Sequence, residues 1–378
     1  MAILSRWPFE ETSMVRYPLN GRPSAFWRGD WYVGKGVACA RVRIGNGEKE
    51  VLEVFNTHTH APYERKDDSY LCHRTAQAWE IAKMMRHAAE RGHVVVGLGD
   101  FNMVPLSLAH RIIEAHAPMR DVWRIVKPDS ALGGAWEAPE KERLRVKGLE
   151  VPSARYCLEE HGATCDSSFN TWRWSKQMRK DLGRGRDHDP DPEARDPRAR
   201  RLDYIFFADN AGATGQRWEI GDVKVGMTMR HEKLRCSLSD HFSVEATLSR
   251  KKDVLDAKMS ARAMINPLPI ETYDEILAMI AKYNLRQRKY RRTKLATFGL
   301  SIAVSIGCFI AVWWSPRNYV SFILIVLSTL GFGGGILEGL MGGLFVGTEL
   351  RALREFEYEV RNARRQVTET ETVANGKP

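Results

Sequence analysis

"HVVVGLGDFN", His93 to Asn102, carries a run of valines into a Gly-x-Gly shoulder and then an aspartate, a phenylalanine and an asparagine. A short β-branched run bounded by glycines reads as a buried strand. Asp100 and Asn102 therefore leave one strand end together, on a rigid mount. Three other short apolar stretches end in the same style. "EVFNTHTHA" carries His58 and His60, "RRLDYIFF" carries Asp203, and "CSLSDHFSVEA" carries Asp240 and His241. Strand ends bearing carboxylates, an amide and imidazoles suit a hard divalent cation and a phosphate.

Working outward, Gly36 to Ile44 and Val51 to Phe55 are rich in β-branched residues and are separated by "GNGEKE", which predicts a hairpin. "YLCHRTAQAWEIAKMMRHAAERG" predicts a long helix closed by Gly92 at C′. Val94 to Leu98, Leu202 to Phe207 and Phe242 to Leu248 predict three more strands. Residues 1–250 thus alternate strand and helix signals around a mixed sheet. Between Lys176 and Arg201 the chain is charged, proline-bearing and almost free of aliphatics, which predicts a flexible surface insertion, 176–201.

At 378 residues and 43% hydrophobic content the chain has ample material for a core. Its six cysteines lack any C-x-x-C pair, and "MAILSRWPFEE" lacks the pattern of a secretory signal, so the thiols are expected to be reduced and cytosolic. The formal net charge is +10, and seven cations with no acid lie between Lys282 and Lys294: Lys282, Arg286, Arg288, Lys289, Arg291, Arg292 and Lys294. A nucleic-acid binder spreads such charge over a folded face. Here the cluster abuts the most apolar stretch of the chain, and a membrane surface is the acidic partner it predicts.

That stretch is "LATFGLSIAVSIGCFIAVWW", residues 295–314, followed after "SPRN" by a second run, residues 319–347. Roughly 20 apolar residues cross a 30 Å hydrocarbon slab as a helix. The expectation is a transmembrane hairpin with a charged tail, 348–378, behind it. Cations precede the first span and follow the second, while the turn carries only Arg317, so both chain ends are expected in the cytosol. The glycines of the second span suit close packing on the first, and Glu338 is expected near the cytosolic edge or packed on the first span. Upstream, Thr272 and Glu275 form a capping box, with Ile276, Leu277, Ile280 and Tyr283 at helical spacing. The linker region 251–294 is therefore expected to hold an amphipathic helix lying on the membrane surface and running into the first span, where Arg286, Arg288, Lys289, Arg291 and Arg292 contact anionic phospholipid.

The strand-end set, in this order, resembles the DNase I-like endonuclease/exonuclease/phosphatase superfamily. Within it the chain is similar to the neutral sphingomyelinases and the fungal inositol phosphosphingolipid phospholipases C, through "AILSRWP", "WYVGKGVA", "FNTHTHAPY", "YLCHRTAQAWEIA", "GDFNM", "TCDSSFNTW", "RLDYIF" and "LSDHF" followed by a two-span hairpin. The resemblance implies an α+β fold, a four-layer α/β/β/α sandwich, and Mg²⁺-dependent hydrolysis of sphingolipid phosphodiesters to ceramide and a phosphorylated headgroup. It implies His241 as general base, Asp203 as its orienting partner, Asp100 and Asn102 on the nucleophile and phosphate, and His58 as a donor to a phosphate oxygen. Asp240 and Asp100 are the expected metal ligands. Asn170, Lys35 and Arg6 are expected headgroup contacts, and His60 stands where relatives tolerate other residues. The expected host is an endoplasmic-reticulum or mitochondrial membrane, with no nucleic acid and no obligate protein partner.

The superfamily also carries, ahead of the segment matched by "AILSRWP", a strand with an asparagine and a glutamate that is the main metal ligand. This chain begins after that point. The expectation is a truncated gene model lacking its first strands, with slight turnover of its own; an inactive membrane-bound remnant is the alternative. Glu10 and Glu11, read as lying on a proline-flanked loop, are poor substitutes. Other superfamily phosphodiesterases fit less well: DNA is not found at a cytosolic membrane face, and "GLGDFNMVP" lacks the tryptophan and arginine that flank this motif in inositol polyphosphate 5-phosphatases.

Overall fold

The computed structural model describes residues 1–64, 68–215, 217–251 and 267–374, so residues 252–266 of the expected linker lie outside the described residues. The chain divides into two compact units: residues 1–17, 35–68 and 77–267, and residues 18–34, 69–76 and 268–378. Two short segments from the amino-terminal part, residues 18–34 and 69–76, are grouped with the helical unit.

The first unit is α+β. Its main sheet runs β1 (Phe9–Arg16), β2 (Gly36–Arg43), β3 (Val51–His58), β4 (Val94–Asp100), β6 (Asp203–Ala208) and β5 (Arg120–Asp121), in that spatial order. β2 and β3 pair antiparallel as the predicted hairpin, and β3 and β4 pair parallel, putting His58 opposite Asp100. The parallel pair needs a crossover, and helix α1 (Leu71–Glu90) supplies it, ending at Gly92 with φ 79. A second sheet is the hairpin of β7 (Arg217–Gly226) and β8 (Ser243–Lys251). Val94, Val96 and Phe207 from the main sheet meet Val223, Ile220, Val244 and Leu248 from this hairpin around Trp123, which is the sandwich core. On the opposite face, α1 buries Ile81, Ala82, Met85 and Ala88 completely. A Cβ on Gly97 of β4 would lie 2.7 Å from the Met85 sulfur, so that glycine lets the helix seat on the sheet. Helix α2 (Leu108–His116) follows β4.

Two expectations change. Glu10 and Glu11 are not on a loop but in strand β1, where Arg43 and Arg41 pair with them; cross-strand ion pairs, not apolar burial, mark this edge, which hydropathy does not reveal. The charged stretch 176–201 carries more structure than its composition implies. Ser175 caps helix α3 (Lys176–Gly183), and Asp196, 2% exposed, accepts a hydrogen bond from the Ser168 amide and pairs with Arg173. Polar anchoring replaces the missing aliphatics.

The second unit is dominated by α4 (Ile270–Val312), α5 (Asn318–Leu340) and α6 (Val346–Ala374), the last two joined by one π turn, Met341–Phe345. Both long helices are apolar enough to cross a membrane, and only 6% and 11% of their apolar windows are buried. Leu300, Ile306, Phe309, Phe322, Leu327 and Leu330 all face outward. Core helices of a soluble protein would hide them; these two need an apolar solvent. A Cβ on Gly335 would fall 1.7 Å from the Ser301 hydroxyl and one on Gly339 would fall 2.9 Å from the Phe298 ring, so small residues set the helix approach. Glu338 pairs with Lys294 at 2.5 Å, packed on the first span as expected.

The amphipathic segment before the first span runs into it as one helix, but its apolar face is not free to lie on a membrane surface. It is the start of α4, continuous with the span, and its apolar stripe is already used: Ile276, Ile280 and Tyr283 are buried, as are Val346, Leu353, Phe356 and Val360 of α6. The Tyr283 hydroxyl donates to Glu349 at 2.5 Å and accepts from the Gln287 amide at 2.8 Å. The same spacing that suits a membrane surface suits a partner helix, and the chain supplied one 70 residues downstream.

Candidate active site

The end of β4 and the end of β3 lie side by side and deliver the acidic group. Gly99 has φ 130, and a Cβ there would sit 1.9 Å from the Thr57 carbonyl oxygen, so only glycine allows this close approach. Beyond it the Asp100 carboxylate accepts from the Asn102 amide N–H (2.8 Å) and side-chain amide (3.1 Å), and Asn102 also donates to the Thr59 carbonyl (3.1 Å). Asn102 adopts φ 46, a left-handed conformation asparagine tolerates. The His58 imidazole lies 3.4 Å from Asp100.

Asp203 opens β6 and pairs in register with Asp100 across the sheet. Its carboxylate bonds Nδ1 of His241 at 2.7 Å. Ligating atoms of Asp100, Asp203 and His241 all fall within 4.8 Å of one another. Four separate stretches of sequence thus meet at one point. Burial, and then the charge of Asp203, push Asp100 up to about 6. Two acids this close repel each other, and a hard cation relieves both the repulsion and the desolvation; the donor set fits a divalent ion. For His241, burial works against the charged form, but the bond to Asp203 and the neighbouring Cys165 overcome it and push the imidazole up to about 11. Burial, with the charges of Lys35 and His241, holds His58 below its ordinary value.

Other expected site residues surround this cluster or lie apart from it. Asp240 is exposed and accepts from the Ser239 hydroxyl; it is not in the cluster, whereas Asp203 is. The Lys35 ammonium is buried and donates to the carbonyls of His58 (3.4 Å) and Thr59 (3.1 Å), so it braces the loop that carries His58. Asn170, 1% exposed, donates to the Ser239 carbonyl (3.0 Å) and accepts from the Trp172 amide (3.0 Å). It clamps the His241 loop, helped by the reciprocal bonds between Thr171 and Ser237. Arg6 is exposed, and His60 is wholly buried with its amide on Gln77.

Sequence reasoning missed Thr164. Its hydroxyl accepts from the amides of Leu202 (3.2 Å) and Asp203 (3.4 Å), and its carbonyl accepts from the Phe242 amide (2.9 Å). One buried threonine therefore ties both members of the His241–Asp203 pair. Thr164→Val keeps the volume and strands two buried N–H groups, so a loss of about 1–3 kcal/mol is expected in denaturant unfolding, with Thr164→Ser close to the parent.

Of the five cations expected to meet anionic lipid, Arg288, Arg291 and Arg292 line a groove of about 600 Å³ together with Arg351 and Arg354 of α6. Arg286 and Lys289 do not line it. Arg351 and Arg354 are among the cations that follow the second span.

The sequence profile of the Endonuclease/Exonuclease/phosphatase family matches residues 1–241. The inositol phosphosphingolipids phospholipase C of Schizosaccharomyces pombe is 36% identical over 369 residues, covering 96% of this chain and 76% of that protein. The Saccharomyces cerevisiae protein of the same name is 31% identical over 379 residues, 96% of this chain and 70% of its own. A putative neutral sphingomyelinase of Caenorhabditis elegans is 37% identical over 207 residues, 55% of this chain and 40% of that one.

Proposed function

The chain belongs to the endonuclease/exonuclease/phosphatase family and, within it, to the family of the inositol phosphosphingolipid phospholipases C, and from this premise we propose that it hydrolyses sphingolipid phosphodiesters at the cytosolic face of a membrane, releasing a phosphorylated headgroup and leaving ceramide. The observation that carries the reading is the meeting of Asp100, Asp203 and His241 within 4.8 Å in a chain that also bears two outward-facing apolar helices.

His241 removes a proton from the attacking water, and Asp203 on Nδ1 fixes the tautomer and steadies the imidazolium that forms. Asp100, held by Asn102, is the principal carboxylate for a divalent ion, Mg²⁺ in this proposal, with Asp203 beside it. A bound Mg²⁺ supplies charge to the developing phosphorane oxygens. The Asp203 charge that retains the His241 proton would be shared with an ion held by Asp100 and Asp203, which would free the imidazole to act as the base. His58, kept below its ordinary value, reaches a phosphate oxygen from the neighbouring strand end.

The test is headgroup release by the full-length protein from vesicles containing inositol phosphoceramide, with sphingomyelin in parallel. Release from neither would end the proposal. Release that survives chelation would remove the metal from it. The groove arginines carry a second expectation, that anionic phospholipid stimulates the enzyme. Neutralising Arg288, Arg291 and Arg292 is expected to remove stimulation by phosphatidylserine and leave turnover in neutral vesicles unchanged; at roughly 1 kcal/mol per cation the combined effect is on the order of a hundredfold in lipid affinity. An unchanged dependence on phosphatidylserine would refute this assignment.

A further inference from the structure

We infer that residues 23–34 form a third membrane contact, an interfacial wedge beside the two spans that presents Trp27, Tyr32 and Val33 to the lipid headgroup and upper acyl region. The inference rests on the membrane association of α4 and α5, and extends it to a segment far from them in sequence.

The segment is turned outward by its glycines. A one-turn helix, Asp30–Val33, sits between Gly29 (φ 78) and Gly34 (φ 65), both left-handed. Gly21, at φ 144, brings its backbone against Trp31, where a Cβ would lie 2.6 Å from the Trp31 nitrogen. The base of the segment is held firmly: Arg22 and Arg28 lie over the Tyr70 ring at 5.8 and 5.6 Å, and Arg28 donates to the Ser69 hydroxyl. The tip differs. Trp27 is 70% exposed, Tyr32 65% and Val33 71%, three large apolar side chains within seven residues that a water-facing turn has no reason to carry.

The depth of the tip follows from its pins. Lys294 is the last cation before the charge-free run, and a Cβ on Gly342 would lie 2.9 Å from the Lys294 Cβ, so these two residues are level. Phe345 lies three residues beyond Gly342, about 4.5 Å further along the axis on the polar side. The Trp31 ring packs on Phe345 at 4.7 Å between centroids. The Tyr290 hydroxyl, about one turn on the polar side of Lys294, donates to the Ser24 carbonyl at 3.4 Å. The headgroup zone on each side of the hydrocarbon is about 5–8 Å deep. The wedge therefore lies in that zone, where tryptophan and tyrosine rings are favoured. The occupant is the bilayer that surrounds the spans, and the contact continues the apolar surface of α5 and the π turn, where Leu340 and Leu344 are also exposed.

The segment runs directly into Lys35, which braces the His58 loop. Seating the wedge thus bears on capture of an embedded lipid more than on the chemical step.

The test places a photoreactive benzoylphenylalanine at Tyr32 of the full-length protein in phosphatidylcholine–phosphatidylserine nanodiscs, with Leu330 in the span and half-exposed Tyr156 as references. Lipid adducts at Tyr32 and Leu330 but not at Tyr156 are expected. Adducts at Leu330 with Tyr32 no better than Tyr156 would overturn the wedge alone, and adducts at none of the three would overturn the membrane reading with it. A W27S/Y32S/V33S variant is expected to lose about tenfold in kcat/KM on vesicle sphingolipid while retaining hydrolysis of a water-soluble diester. Loss on neither substrate, or equal loss on both, would count against its role in lipid capture.

Discussion

His241→Ala is expected to lower headgroup release by about 10²–10⁴-fold without releasing the protein from membranes. The reason for the size is geometric. His241 is the imidazole bonded to Asp203 in the cluster, and no other titratable group among the described residues offers a base whose Nδ1 is fixed by a carboxylate at 2.7 Å while its ligating atoms lie within 4.8 Å of a second acid. Membrane retention depends on α4 and α5, remote in sequence from this strand end, so sedimentation with membranes is the control. Asp203→Asn sharpens the test. The Asp203 bond is the foremost influence that raises His241, opposing burial. Removing its charge lowers the pKa of the base, so the rising limb of the kcat/KM profile moves to lower pH even as the plateau falls. An unmoved limb would show that the titrating base is another group.

Much of this site is legible in the residues themselves because strand ends are simple objects. Four short apolar runs, one of them closed by Gly-x-Gly, set His58, Asp100 with Asn102, Asp203 and His241 at strand ends, and the resemblance, not the pattern alone, implies what each does there. What escaped were roles decided by partners distant in sequence. Lys35 and Asn170 look like ligand contacts because they are polar and lie in suggestive motifs, yet their partners are backbone carbonyls of residues 58, 59 and 239. Thr164 opens the stretch "TCDSSFNTW", but its role gives no signal, since only the folded chain brings Leu202, Asp203 and Phe242 to it. Strand β1 hid behind charge: Glu10 and Glu11 read as a loop until Arg43 and Arg41 are placed opposite them. The amphipathic stripe of α4 was visible, but its partner was not, because a period of 3.6 says which face is apolar and not what covers it.

Asp121→Ala is expected to cost about 3–5 kcal/mol of the stability of the catalytic unit, a large share of the roughly 5–15 kcal/mol available to a domain. Asp121 is 1% exposed in the short strand β5, and the Arg201 guanidinium donates to both its oxygens at 3.0 and 2.7 Å, while His110 bonds it at 3.1 Å. Arg201 is itself 2% exposed and lies over the Tyr204 ring at 4.4 Å. Losing the acid leaves a fully desolvated guanidinium without its counter-charge, two residues before Asp203. If that is the cause, Arg201→Met in the Asp121→Ala background should recover stability, and the double variant should cost less than the sum of the singles; additive losses in urea unfolding would show that the pair is not coupled. The pH dependence has a definite sign. Burial alone would raise the Asp121 carboxyl, but the charge of Arg201 and the bonds from His110 and Arg201 outweigh it and hold it well below the usual range. A group depressed on folding contributes its full stability above the unfolded carboxylate value of about 3.9 and loses it as the pH falls below that. The parent should therefore show a steep loss of stability below about pH 4, and Asp121→Asn, which starts less stable and has no carboxylate to protonate, should show a shallower one.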